Sequence, residues 1–254
     1  MEQEFEKKSP KKGYRIIFLT SLLFAVLFEC LIFMRSQIMK IEKLLREDFR
    51  VVLVLSSSDK KEAVLEKVYA LKGVKKAEII TSSQTLDRIK QEDKELYYSL
   101  SAVGRNPVPD IIEADLEDAA LGNLETFAEE AMKIKGVEDV KYKLLEAYAI
   151  IHFSFYSNFL SVIISLTLLI SALIVFTGIA HAGFTGFFSS LRNSMKWFSS
   201  GLLGAVCAVC FVYLVIYPVK YLSPVWAWPA YWWHFLLAAM CGLFGWVLYQ
   251  WKKS

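Results

Sequence analysis

The sequence predicts an α+β external domain of two βαβ-like units with a helical insertion, carried on a four-helix transmembrane bundle. Three observations lead to this prediction. Four apolar runs are long enough to cross a membrane, and 55% of the 254 residues are hydrophobic. Residues 35–153 have the composition of a soluble domain, with 22 acidic and 19 basic side chains. Within them, two similar patterns end in Lys72-Gly73-Val74 and Lys135-Gly136-Val137.

The first apolar run follows a basic tail. Residues 1–15 contain Lys7, Lys8, Lys11, Lys12 and Arg15, and residues 16–34 are mostly apolar. Nineteen residues suffice for a hydrocarbon core of ~30 Å, and the positive flank places the N-terminus in the cytoplasm. No small-x-small cleavage site follows Met34, so we interpret the run as an uncleaved signal-anchor. Residues 36–50 then have apolar positions at helical spacing and predict an amphipathic continuation.

Glu29 lies within this first span, where an ionisable side chain is costly and often functional. One interpretation places it near the outer interface, reaching the headgroups or Arg35. The other gives it a role in proton coupling. The remaining spans contain no carboxylate that could complete a relay, which favours the first interpretation.

The soluble segment contains two βαβ-like units. The first has an apolar, β-branched strand at Val51–Leu55, a helix over 59–71 capped by Ser58, and a strand over 76–80. The second has a strand at Ile111–Leu116, a helix over 123–135 and a strand over 137–143. Gly73 and Gly136 are expected to end the helices in the left-handed conformation. Two such units predict a four-stranded antiparallel sheet with both helices on one face, a ferredoxin-like arrangement.

Between the units, residues 82–106 form an insertion with two predicted helices. Leu96 and Tyr98 are two positions apart, so they cannot both face one small core. Exposed apolar patches often mark partner sites, whereas the alternative is that the insertion closes over the sheet. Composition favours neither. Pro107 and Pro109 follow and predict a stiff, extended connection.

Three more spans follow the soluble domain. They cover residues 155–180, 201–219 and 235–251, and two loops join them. The loop over 181–200 contains Arg192 and Lys196, whereas the loop over 220–234 is rich in Trp and Pro. Four crossings place both termini and the 181–200 loop in the cytoplasm, where the basic residues are favoured, and the aromatic loop outside.

The sequence contains no pattern typical of catalysis. It lacks the Gly-x-x-x-x-Gly-Lys-Ser/Thr loop that holds nucleotide phosphates. His152, His181 and His234 are far apart and lack metal-ligand spacing, and Cys207 and Cys210 lie in an apolar helix that favours two small packing residues. We therefore predict no enzyme and no cofactor. The soluble segment has no concentrated basic face, which argues against nucleic-acid binding.

Several local features resemble those of the bacterial cell-division FtsX family. They are the strand Val51–Leu55, Gly73-Val74, Ser82 and Ser83 at the start of the insertion, Asn106-Pro107-Val108-Pro109, and Gly136-Val137. The order of one span, an external domain and three spans also resembles that family. Gly204-Ala205 matches its third span, but the cytoplasmic segment lacks the Arg- and Glu-rich composition that is typical there.

This resemblance implies a non-catalytic subunit that pairs with a cytoplasmic ATPase, FtsE, in a complex of two copies of each. It also implies a plasma-membrane protein at the division site, whose external domain activates a peptidoglycan hydrolase directly or through a coiled-coil adaptor. The insertion would be the partner surface, through Leu86, Ile89, Leu96, Tyr97, Tyr98, Leu100 and Val103; Arg192, Lys196 and Trp197 would couple to the ATPase. The alternative is a permease subunit of an ABC-type lipoprotein-release or efflux system, which usually has a larger external domain.

Overall fold

The structure, a computed structural model, describes residues 10–56, 60–102, 108–183 and 186–253. It divides into two units. The globular unit is Glu42–Phe153, and the bundle unit combines the parts of the chain before and after it. The elements in chain order are α1 Pro10–Asp48, β1 Val51–Leu55, α2 Lys61–Tyr69, β2 Val74–Ile80, α3 Ser82–Glu92, α4 Lys94–Ser101, β3 Ile111–Leu116, α5 Asp118–Leu121, α6 Leu124–Met132, β4 Val137–Lys141, α7 Leu144–Ala182, α8 Phe187–Asn193, α9 Met195–Ile216, a 3-10 helix Tyr217–Leu222, and α10 Trp232–Lys253.

The globular unit contains one four-stranded sheet in the order β2-β3-β1-β4, with every pair antiparallel. Strands β1 and β3 are central, with Leu53 opposite Ile112. Both residues are fully buried, because alternate side chains of each strand face one core. Helices α2 and α6 pack on that same core through Val68 and Phe127. The predicted ferredoxin-like arrangement is confirmed.

Two glycines end the helical segments of the globular unit. Gly73 has φ +90° and Gly136 has φ +106°, a region that side chains with a Cβ rarely adopt. Gly73 is also close to a neighbour, since a Cβ at this position would lie 2.5 Å from the Ala120 Cβ. The expected left-handed glycines are therefore present. The predicted cap Ser58 and the Asn106-Pro107 junction lie outside the described residues.

The described part of the bundle unit contains four helices long and apolar enough to span a membrane, within α1, α7, α9 and the 3-10 helix after it, and α10. Small residues let three of them approach closely. A Cβ on Gly201 of α9 would lie 2.1 Å from the Cys241 carbonyl oxygen of α10, and one on Gly204 would lie 2.6 Å from the Phe18 carbonyl oxygen of α1. The buried side chains Phe28 and Leu237 lie in the core of this unit.

The segment 181–200 differs from the predicted loop. Most of its described part is helical, in α8 and the first turns of α9. Several of its serine hydroxyls donate to backbone carbonyls, which allows them to lie on a packed helix. The Ser194 hydroxyl donates to the Ser190 carbonyl oxygen at 3.0 Å, and the Ser200 hydroxyl donates to the Tyr14 carbonyl oxygen of α1 at 2.8 Å. Part of the predicted 220–234 loop is likewise helical, because α10 begins at Trp232.

Candidate functional site

The predicted insertion forms two short helices, and each has its own N-terminal cap. At the start of α3, the Thr81 hydroxyl accepts from the Gln84 backbone N–H, while the Gln84 side chain accepts from the Thr81 N–H at 2.9 Å. At the start of α4, the Asp93 carboxylate accepts from the Leu96 N–H at 3.0 Å. These local bonds explain why so short a segment is helical, since caps satisfy N–H groups that otherwise lack partners.

The apolar side chains of α3 and α4 stay at the surface. No residue of either helix is buried, and none from the described part of the insertion belongs to the core of the globular unit. Leu96 is 45% exposed and Tyr98 is 70% exposed. The described part of the insertion thus adds no side chain to the core of the globular unit.

Four further predicted partner residues are half-buried, and they lie beside the exposed pair: Leu86, Ile89, Tyr97 and Leu100. The Tyr97 ring lies edge-on to the Tyr98 ring, with centroids 5.8 Å apart, and Lys90 Nζ lies 5.4 Å from the Tyr97 ring centroid. Val103 lies outside the described residues. The structure therefore brings six of the seven residues onto one helical pair, which we call the α3–α4 surface.

Polar contacts hold the α3–α4 surface to the sheet. The Asp110 carboxylate, just before β3, accepts from the Ser82 N–H at 2.6 Å and pairs with Lys61 of α2. Further along α3, Arg88 donates to Glu113 of β3 at 2.8 Å. The bond from Lys61, together with the Ser82 N–H, lowers the pKa of Asp110 below its ordinary value. Hydrogen bonds and ion pairs therefore attach the α3–α4 surface to the sheet, whereas apolar packing stabilises the sheet itself.

The three residues predicted to couple to an ATPase have different environments. Arg192 and Lys196 are exposed near the junction of α8 and α9. Trp197 is 8% exposed and packs inside the bundle unit, with its ring centroid 5.3 Å from that of Tyr14 and Lys252 Nζ at 5.4 Å. Trp197 is thus a packing residue, whereas Arg192 and Lys196 are exposed bases. The coupling role of these residues stays a prediction.

Glu29 has a different partner from the one the sequence suggested. It is completely buried, and its Oε1 lies 2.7 Å from Nδ1 of His234 in α10. The other ring nitrogen of His234 lies 2.7 Å from the Tyr213 hydroxyl of α9. Arg35 instead donates to the Ser161 hydroxyl at 2.7 Å. The expectation that Glu29 reaches toward Arg35 or the headgroups is wrong, because the fold supplies a partner inside the bundle unit.

Sequence reasoning missed this set of three residues for a simple reason. Glu29 and His234 are separated by 205 positions, and His234 was assigned to a loop because it follows a run of Trp and Pro. The available signal was the carboxylate in the first span, combined with a histidine at the edge of the fourth. Among the described residues, no group of acidic, His and Cys side chains could hold a metal ion.

Comparison with known proteins identifies the globular unit. Residues 39–147 match the family model described as the FtsX extracellular domain. The globular unit is therefore similar to the extracellular domain of the FtsX family. The resemblance inferred from its motifs is confirmed. The FtsX family is a membrane component of an ABC-type complex in cell division, and four apolar helices agree with a multi-pass protein of the inner membrane.

Two solved structures are similar to the globular unit. One is extracellular domain 1 of FtsX from S. pneumoniae in complex with undecyl-maltoside, at 18% identity and a TM-score of 0.31, covering 37% of this chain and 92% of that one. The other is the solution structure of the large extracellular loop of FtsX in Streptococcus pneumoniae, at 18% identity and a TM-score of 0.32, covering 37% and 98%. No curated protein matches the chain. The assignment rests on the family model and the motifs.

Proposed function

We propose that this chain is the non-catalytic transmembrane subunit of a cell-division complex. In this proposal it carries ATP-driven motion from an FtsE-like cytoplasmic ATPase to the globular unit outside the cell. The globular unit then recruits and activates a peptidoglycan hydrolase or its coiled-coil adaptor at the division site. Two copies of the chain pair with two ATPase subunits, and both termini lie in the cytoplasm.

The observation that carries the outer half of this proposal is the exposure of the α3–α4 surface. Leu96 and Tyr98 remain open although the unit has a complete core beneath the sheet. Exposed apolar side chains on paired helices can receive the apolar stripe of a partner helix, as in helix-in-groove recognition. Lys90 and the acidic residues around the surface supply a polar rim, which is typical of protein interfaces.

The test is binding of a hydrolase or coiled-coil adaptor to the full chain in lipid nanodiscs. Leu96→Glu and Tyr98→Glu should each weaken binding by about tenfold or more, because central apolar contacts contribute most of the binding energy. Met132→Glu is the matched control, since Met132 on α6 is 47% exposed but lies outside the α3–α4 surface. Equal affinity of all three variants and the unmodified chain would contradict the assignment of this surface.

The inner half of the proposal depends on Arg192 and Lys196. They are exposed, and no acidic residue follows Glu146 in the sequence, so this region is suited to an acidic partner surface. The double variant Arg192→Glu and Lys196→Glu should reduce co-purification of the ATPase. Lys220→Glu serves as the control, because Lys220 lies at the opposite end of the third span. Unchanged co-purification of the double variant would place the ATPase contact elsewhere.

A further inference from the structure

Glu29, His234 and Tyr213 form a continuous polar set across three helices of the bundle unit. The Glu29 carboxylate contacts His234 Nδ1, and His234 Nε2 contacts the Tyr213 hydroxyl, each at 2.7 Å. The second oxygen of Glu29, Oε2, is buried and has no hydrogen-bond partner. Aromatic rings enclose the set, with Trp228 stacked on Tyr213 at a centroid distance of 5.1 Å.

We propose that Glu29, His234 and Tyr213 form a proton-binding site. The reference state has an ionised Glu29 carboxylate, a neutral His234 imidazole and a neutral Tyr213 phenol, and the site holds one proton more than this state. The ligand is the proton itself. This proposal stands on the contacts within the bundle unit. It does not depend on the identity of the ATPase or the hydrolase.

Charge balance supports the additional proton. Without it the set has a net charge of −1 in a segment that spans the membrane, where an uncompensated charge is strongly unfavourable. The unpartnered Oε2 raises that cost, because no donor stabilises the charge there. With the proton bound, the net charge is zero. The proton then lies either on the imidazole, as a carboxylate–imidazolium pair, or on Oε1 of Glu29, which donates it to Nδ1 of a neutral imidazole.

Among the residues that the structure describes, the neighbouring elements supply no other compensating cation. On α1, Arg35 is bonded to Ser161 of α7, and α7 has no acidic or basic residue from 154 to 180. On α10, the Cys241 thiol lies 3.9 Å from the Ser21 carbonyl oxygen.

Between α9 and α10, Lys220 lies 5.8 Å from the Tyr221 ring centroid, and Tyr231 is exposed. His234 is therefore the basic group paired with Glu29. Its side chain is 14% exposed, whereas that of Glu29 is 0% exposed, so His234 is the member of the pair nearer the surface of the bundle unit.

The additional proton reverses the direction of one hydrogen bond. In the set with net charge −1, Nδ1–H donates to Glu29, and His234 Nε2 accepts from the Tyr213 hydroxyl. In either form with the proton bound, Nε2 carries a proton and donates to the Tyr213 oxygen. The protonation of Nε2 thus reports occupancy directly, wherever the proton lies. Since the three residues belong to α1, α9 and α10, release of the additional proton leaves an unbalanced negative charge among those helices.

The experiment is nitrogen-15 NMR of the full chain in lipid nanodiscs, with labelled histidine. His152→Gln and His181→Gln leave His234 as the sole histidine, because the sequence has three. We expect Nε2 of His234 to be protonated near neutral pH and to lose its proton in a single transition as the pH rises. An unprotonated Nε2 near neutral pH would overturn the proposal.

Two variants in the same background test the members of the site. Glu29→Gln should abolish the alkaline transition of His234, because an amide keeps the size of the side chain without its charge. Glu146→Gln is the control and should leave the transition unchanged, since Glu146 also has a buried, unpartnered oxygen but lies in the globular unit. A transition that persists unaltered in Glu29→Gln would exclude Glu29 from the site. If Glu29→Gln does not fold, the Nε2 readout of the chain with Glu29 intact still decides the proposal.

Discussion

Replacing Asp110 by alanine should loosen the α3–α4 surface and destabilise the globular unit by about 2 kcal/mol. The Ser82 N–H bond to the carboxylate, 2.6 Å long, is charge-assisted and lies at a helix N-terminus, so it contributes about 1.5 kcal/mol or more. The pair with Lys61 contributes about 0–1 kcal/mol, because the Lys61 side chain is 42% exposed and water screens the interaction. For a domain of this size the loss corresponds to a fall in melting temperature of roughly 8 °C.

Chemical denaturation of the globular unit separates the two contributions. Asp110→Asn keeps an oxygen that can accept from Ser82 and should lose less stability than Asp110→Ala. Lys61→Met removes only the ion pair and should cost about 1 kcal/mol or less. Glu66→Ala, at an exposed acid on α2, is the control. If Asp110→Ala were no less stable than Lys61→Met, the bond to Ser82 would not anchor the insertion.

The same carboxylate predicts a pH dependence with a defined sign. Because Lys61 and the Ser82 N–H lower the pKa of Asp110 in the folded state, its contribution is complete above the unfolded pKa of about 4. The contribution is lost as the pH falls through the lower folded pKa. The stability difference between the unmodified unit and Asp110→Asn should therefore shrink below about pH 4. A difference that grows toward acid would refute the reasoning.

Two glycine substitutions test close approaches in the two units. Gly73→Ala should destabilise the globular unit by about 1–3 kcal/mol in denaturation, because φ is +90° and the new methyl group would meet Ala120. Gly122→Ala, whose nearest neighbour would be 3.8 Å away, should cost far less, and equal losses would contradict the strain argument. In the bundle unit, Gly201→Ala would place a Cβ 2.1 Å from the Cys241 carbonyl oxygen, so α9 and α10 must separate. Thermal aggregation of the full chain in detergent should begin at a lower temperature, and an unchanged onset would argue against this contact.

The sequence was sufficient for the globular unit because its signals are local. The strands Val51–Leu55 and Ile111–Leu116 begin and end where predicted, since the first is a continuous apolar run and the second has apolar side chains at alternate positions. Gly73 and Gly136 marked the helix ends because few other residues adopt a positive φ. Helical geometry required only that Leu96 and Tyr98 not share one core, and the structure leaves both exposed.

Features that depend on distant partners could not be derived in this way. Trp197 lies in a segment of loop-like composition, yet it is buried because Gly13 and Tyr14 of α1 pack against it. The pairing of Glu29 with His234 similarly required the relative placement of α1 and α10. Hydropathy assigns each span separately, but it contains no information about which face of one helix meets another.

The separation of the α3–α4 surface from the core has an evolutionary consequence. Substitutions at Leu96 or Tyr98 remove no buried packing, so they change folding stability by about 0.5 kcal/mol or less. On the proposed function, selection can therefore alter the partner preference of this surface without compensating changes around Leu53 or Phe127. A lineage could exchange one hydrolase or adaptor for another while the ferredoxin-like sheet stays the same. The insertion is the part of this domain that is free to diversify.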